Sequence, residues 1–251
     1  MNLKPLNLWC AYPGDLLGDG VAEACLALVT EEERARVARF KFERHRREAL
    51  TTRALVRTTL SRYRPIAAEA WRFTENAQGK PDPEPECGLR FNLSNALGLV
   101  VCLVADGADV GVDVEPAERA EQILKLASEV FSAQERAQLE SLPDEEKLER
   151  ALSLWTLKEA YIKARGMGLA LPLDKFSFLF GGAERVRLEM DPSLGDEPGR
   201  WRFFLLGHAG HRIAGMVKRE VAGALDVWET RPVLGEPVRV TSGRVEWFPR
   251  G

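Results

Sequence analysis

Asp113, Glu115 and Glu159 are the residues whose setting asks most clearly for a cation. In Gly111-Val112-Asp113-Val114-Glu115 two valines alternate with two acids, a strand pattern with one apolar and one acidic face. Side chains two apart on a strand lie about 6.5–7 Å apart and point the same way, so both carboxylates can face one cation. Further along, Leu148, Leu152, Trp155 and Ile162 recur at helical spacing, and Glu159 falls in the middle of that stripe. Burying a lone carboxylate there is costly unless a cation pairs with it. Three acids seeking a positive partner point to a hard divalent ion, Mg²⁺ foremost. Each motif alone has a plainer reading. Paired acids on a strand commonly form a solvated face, and Glu159 with Lys163 has the spacing of an ordinary i, i+4 ion pair. The conjunction favours chemistry.

The elements that must hold these acids occur twice. Thr30-Glu31-Glu32-Glu33-Arg34-Ala35 and Ser132-Ala133-Gln134-Glu135-Arg136-Ala137 are both Ser/Thr-x-x-Glu capping boxes that open a helix. They stand 102 residues apart, and the same offset aligns residues 49–55 with 151–157. Two copies of an α+β unit follow, the second beginning near Ala108. The first copy is predicted to hold a strand over 6–12, helices over 31–40 and 46–63, and strands over 70–74 and 89–104. The second is predicted to hold a strand over 110–114, helices over 133–142 and 145–165, and strands over 175–180, 201–206 and 211–218. Loops rich in turn residues span 76–88 and 191–199. The expected division is residues 1–107, 108–227 and a Pro- and Gly-richer extension over 228–251. Two similar halves about a pseudo-twofold axis would leave a cleft between them, a common place for a ligand. At the positions of Trp155 and Glu159 the first copy has Arg53 and Arg57, so one half would hold the metal and the other would offer cations to a polyphosphate.

Bulk properties narrow the partners. With 251 residues and 45% apolar content the chain can bury a real core. Its net charge of −3 gives no electrostatic reason to expect nucleic acid or an anionic membrane. An Arg-rich stretch over 34–47 is the exception, either a solvated helix face or a patch for a phosphorylated ligand. Cys10, Cys25, Cys87 and Cys102 are scattered singly, without metal-ligand spacing, so reduced thiols in a cytoplasmic protein are expected. No apolar run approaches the length that spans a membrane. His45, His208 and His211 have no matched ligand spacing.

In these residues the chain resembles the surfactin-type 4′-phosphopantetheinyl transferases. Gly111 to Glu115 is similar to their metal-binding strand, and Trp155-x-x-Lys158-Glu159-x-x-x-Lys163 to their signature helix. Gly166-Met167-Gly168-Leu169-x-Leu171-Pro172-Leu173 resembles the loop that follows it. Arg39-Phe40, Gly79-Lys80-Pro81 and Phe91-Asn92-Leu93-Ser94 match upstream. The family commonly places His after that last run, where this chain has Asn95, whose amide can donate a hydrogen bond but carries no charge.

The resemblance implies an α+β pseudo-dimer of two similar halves in one monomeric chain. It implies transfer of the 4′-phosphopantetheine arm of coenzyme A to a serine of an apo acyl or peptidyl carrier protein, with release of 3′,5′-ADP. Asp113, Glu115 and Glu159 would hold Mg²⁺ or Mn²⁺. Glu159, or a metal-bound water oriented by it, would be the general base, and Lys163 would stabilise or protonate the leaving phosphate. Lys158 would assist, with Glu135 positioning Lys163 or the metal shell. Lys80, Arg36, Arg53, Ser94 and Asn95 would contact coenzyme A. The loop at 167–169 and the helix after Phe131 would dock the carrier, a role that packing within the second half explains equally well. The carrier itself, from fatty-acid, polyketide or peptide synthesis, is not named by the sequence. Two rivals stand beside this reading: a Mg²⁺-dependent phosphohydrolase or nucleotidyl transferase, although no Walker-type phosphate loop occurs, and a non-catalytic coenzyme A-binding adaptor.

Overall fold

Both capping boxes form as the sequence dictates. Thr30 Oγ1 accepts the Glu33 amide while the Glu33 carboxylate accepts the Thr30 amide. Ser132 and Glu135 repeat the pair. These reciprocal bonds satisfy two orphan donors at each helix start and place the helices that follow. The structure is a computed structural model that describes residues 5–18, 20–181, 185–218, 224–240 and 245–248.

In chain order, the first elements are β1 (Leu6–Ala11), α1 (Val21–Leu28), α2 (Glu31–Ala38), α3 (Glu43–Leu60), β2 (Arg72–Glu75), β3 (Pro81–Glu84), β4 (Leu89–Ala96) and β5 (Leu99–Asp106). There follow β6 (Val110–Pro116), α4 (Ala120–Lys125), α5 (Ala127–Val130), α6 (Ala133–Glu140), α7 (Asp144–Arg165), β7 (Phe176–Gly181), β8 (Arg185–Met190), β9 (Trp201–His208) and β10 (His211–Lys218). The last strands are β11 (Asp226–Arg231), β12 (Leu234–Val240) and β13 (Glu246–Phe248).

The chain divides into two units, Met1–Gly107 with Ala222–Thr241, and Ala108–Val221 with Ser242–Gly251. The first carries a five-stranded sheet of order β12-β11-β1-β5-β4, the second a four-stranded sheet of order β13-β9-β10-β6. Within them β1-β5-β4 and β6-β10-β9 are the same antiparallel arrangement, the first strand of each copy pairing with the far arm of a later hairpin. Each copy also carries a separate two-stranded hairpin, β2-β3 or β7-β8. In the first unit Leu55, Val56 and Leu60 of α3 bury Trp9, Trp71 and Phe91 against the sheet. In the second, Leu154, Leu157 and Tyr161 of α7 pack on Phe176, Phe178 and Phe203. Among the described residues no helix is long and apolar enough to cross a membrane.

The extension expected over 228–251 is not an appendage. β11 adds in parallel to β1, and Trp228 stacks on Trp9 with ring centroids 5.6 Å apart. β13 pairs with β9 in the other unit, where Phe248 is buried against Phe203. The Pro and Gly that suggest a tail, Pro237 and Gly235, lie in β12, an edge strand that tolerates both. The single run expected over 89–104 is two strands, because Gly98, with φ +86°, closes a hairpin between β4 and β5.

Candidate active site

One glycine sets the distance between β6 and α7. A Cβ on Gly111 would stand 2.1 Å from the Ala160 carbonyl oxygen and 2.3 Å from the Ala164 nitrogen. The helix backbone therefore lies directly on the strand, which any side chain would push away. That contact brings Glu159 and Lys163 of α7 to the acids of β6. The strand is buried on both faces, not exposed on one: Asp113 and Glu115 are each 5% exposed. The solvated-face reading of the acid pair is thereby excluded.

Each acid has a specific partner. Lys163 Nζ donates to Asp113 Oδ1 at 2.7 Å. Glu115 Oε1 accepts from the Trp155 indole at 2.8 Å and from Arg119 Nη1 at 2.5 Å. Glu115 Oε2 is buried and accepts no hydrogen bond. Burial, and then the Asp113 charge, push the Glu115 carboxyl above its ordinary value, against the pull of Trp155 and Arg119. Glu159 is raised by the same two causes in the same order, with Glu115 adding to them and Lys163 and Arg119 opposing. The acids thus act on one another electrostatically.

The donor set fits a divalent cation. All three groups are hard oxygen ligands, the Asp113 charge raises the proton affinity of Glu115 and Glu159, and two buried carboxylate oxygens, Asp113 Oδ2 and Glu115 Oε2, accept no hydrogen bond. They do not stand ready-made as a ligand trio: among the described residues no three acidic, His or Cys side chains are arranged to hold a metal. Lys163 and Arg119 instead occupy the carboxylates.

Two expected roles are corrected. Lys158 is fully buried, 2.7 Å from Glu135 Oε2 and 2.7 Å from the Phe176 carbonyl oxygen, with its ammonium over the Phe176 ring. It cannot contact coenzyme A. Glu135 is equally buried and binds Lys158 and the amides of Ser132 and Phe178, not Lys163 or the acid cluster. The first unit repeats the device: Glu33 binds buried Arg57 of α3 at 2.6 Å. In both copies the capping-box glutamate anchors the long helix through a buried cation. Sequence spacing revealed the boxes but not that second task.

The first unit has a pocket of roughly 360 Å³ lined in part by Arg36, Arg53, Phe40, Gly79, Pro81 and Asn95. Three of the expected coenzyme A contacts therefore meet there. Lys80 lies between two of the lining residues. Its turn is fixed by Asn76 Oδ1, which accepts the Gln78 and Lys80 amides, and by Gly79 at φ +79°. Strand alternation turns Ser94 to the opposite face from Leu93 and Asn95, and it is buried away from the lining. Phe40, whose ring is exposed, was legible only as part of Arg39-Phe40. Arg119 was missed, since a lone arginine one turn beyond a strand carries no sequence signal.

The proteins that this chain resembles define a transferase class. Residues 109–216 match the family model described as 4′-phosphopantetheinyl transferase superfamily, and residues 21–107 match the one described as 4′-phosphopantetheinyl transferase, N-terminal. The chain is 34% identical to the 4′-phosphopantetheinyl transferase HetI of Nostoc sp., over 66% of this chain and 71% of that protein. It is 29% identical to the 4′-phosphopantetheinyl transferase Sfp of Bacillus subtilis, over 75% of this chain and 83% of that protein. The chain belongs to the 4′-phosphopantetheinyl transferase superfamily.

Proposed function

We propose that this transferase moves the 4′-phosphopantetheine arm of coenzyme A to a serine hydroxyl of an apo acyl or peptidyl carrier protein, releasing 3′,5′-ADP. The observation that supports it best is the facing of buried Asp113 and Glu115 on β6 by Glu159 and Lys163 on α7. The serine Oγ bonds to the β-phosphorus, and the bond from that phosphorus to the bridging oxygen of the ADP leaving group breaks. Asp113, Glu115 and Glu159 would hold Mg²⁺, which when bound neutralises charge on the pyrophosphate. Glu159 takes the serine proton. In the chain without metal, burial and then the Asp113 charge raise its proton affinity above that of a solvated glutamate. Lys163, one turn along α7, leaves Asp113 to stabilise the departing phosphate. Arg36, Arg53 and Asn95, with Lys80 on its turn, bind the phosphates of the adenylate end. The four free thiols, three of them buried, suit a reducing cytoplasm, and the enzyme works as a monomer.

The reading is tested with full-length protein, Mg²⁺, coenzyme A and an apo carrier, following carrier mass and 3′,5′-ADP together. A mass gain of one arm per 3′,5′-ADP released supports transfer. Phosphate release from coenzyme A with the carrier left unmodified supports a hydrolase, and neither product supports an adaptor.

A further inference from the structure

The acid cluster holds one cation that these roles leave unused. Arg119 ends the short turn after β6, Ala117–Arg119, and reaches back four residues to Glu115 Oε1. Trp155 donates to the same oxygen. Two donors therefore share Oε1 while buried Oε2 accepts none. The Arg119 side chain is 38% exposed, so its release into water needs no rearrangement of the core. Its charge also bears on Glu159. A monovalent cation in this place offsets part of the repulsion among three acids, and it opposes any second cation arriving there, because like charges a few ångströms apart repel.

We propose that Arg119 is a resident counter-cation of the acid cluster: it holds Glu115 until a divalent ion displaces it, and so weakens the site's affinity for that ion. Trp155 is the positioning residue that keeps Oε1 engaged once the guanidinium has left. The inference rests on the metal reading above.

The test is Mn²⁺ alone, titrated into full-length protein without coenzyme A or carrier, with free Mn²⁺ followed by electron paramagnetic resonance. Arg119→Gln is expected to bind Mn²⁺ about tenfold more tightly, a change of about 1.4 kcal/mol, while Arg119→Lys, which keeps the charge, stays near wild type. Unchanged or weaker binding by Arg119→Gln overturns the proposal. Asp113→Asn separates the two levels. If it binds as wild type does, the metal reading itself fails; if it loses binding while Arg119→Gln is unchanged, only the Arg119 role fails. A measurement on the wild-type chain removes dependence on a variant's folding. The Arg119 Nη1–H protons, which bond Glu115 Oε1, are expected to exchange faster with solvent when Mg²⁺ is added, and unaltered exchange contradicts displacement.

Discussion

Lys163 Nζ stands 2.7 Å from Asp113 Oδ1, joining the second helix turn after Trp155 to the middle of β6. The pair balances a buried carboxylate, and it stores a cation one turn from Glu159, where a departing phosphate can use it. Lys163→Ala is expected to lower kcat by about 10²–10⁴, the usual range for losing a positioned proton donor, and to leave the far-ultraviolet circular dichroism spectrum unchanged. Steady-state kinetics with a fixed apo carrier check it. Activity within a few-fold of wild type would confine Lys163 to a structural ion pair.

Gly111 carries the geometry on which that contact depends. Its Cβ position is filled by the Ala160 carbonyl and the Ala164 backbone. Gly111→Ala must lift α7 off β6, so a loss of about 3 kcal/mol or more in unfolding free energy is expected. Denaturant unfolding measures it. Any variant that folds should be nearly inactive, because Glu159 and Lys163 ride on the displaced helix.

Lys158 and Lys80 exchange the prominence that motif matching would give them. Removing the Lys158 ammonium leaves Glu135 charged and buried, so Lys158→Ala is expected to cost about 3–5 kcal/mol of stability. Its KM for coenzyme A, measured below the unfolding transition, should match wild type. Lys80→Ala should do the reverse, keeping stability and raising KM for coenzyme A. A raised KM in Lys158→Ala would restore it to the binding site.

How far the sequence reached follows from what each signal encodes. The capping boxes, the two long helices and the strand at 211–218 were legible because local hydrogen bonds and periodicity fix them. α1 and the short helices α4 and α5 were not, since none has a strong cap and each is held by packing. The place of β11 beside β1 was illegible because parallel pairing joins residues more than two hundred positions apart. In the site, the alternation of Asp113 and Glu115 was visible, but their burial depends on α7 lying over Gly111. Lys158 misled for the same reason: a helix position tells the face a side chain takes only once its neighbours are known.

Asp196 offers a pH test away from the acid cluster. Burial alone would raise its carboxyl, but the Trp201 indole, the Glu197 amide, Tyr161 and Arg165 outweigh burial and hold it below the ordinary 3.8. A depressed folded pKa contributes stability above the unfolded pKa and loses it as pH falls through the folded one. Asp196→Asn is expected to be about 1–2 kcal/mol less stable than wild type near neutrality. The gap should narrow as pH drops below about 4. Urea titrations across that range check it, and a constant gap would show that Asp196 acts through shape and not through charge.

The central claim is that Asp113, Glu115 and Glu159 share one divalent ion. Crystals grown with coenzyme A and Mn²⁺, measured at the manganese absorption edge, test it most directly. The account predicts a single anomalous peak within about 2.1–2.3 Å of an oxygen from each of the three carboxylates, with Lys163 and Arg119 withdrawn from Asp113 and Glu115. A peak bound elsewhere, or Asp113 and Glu115 still closed on Lys163 and Arg119 beside bound coenzyme A, would contradict it.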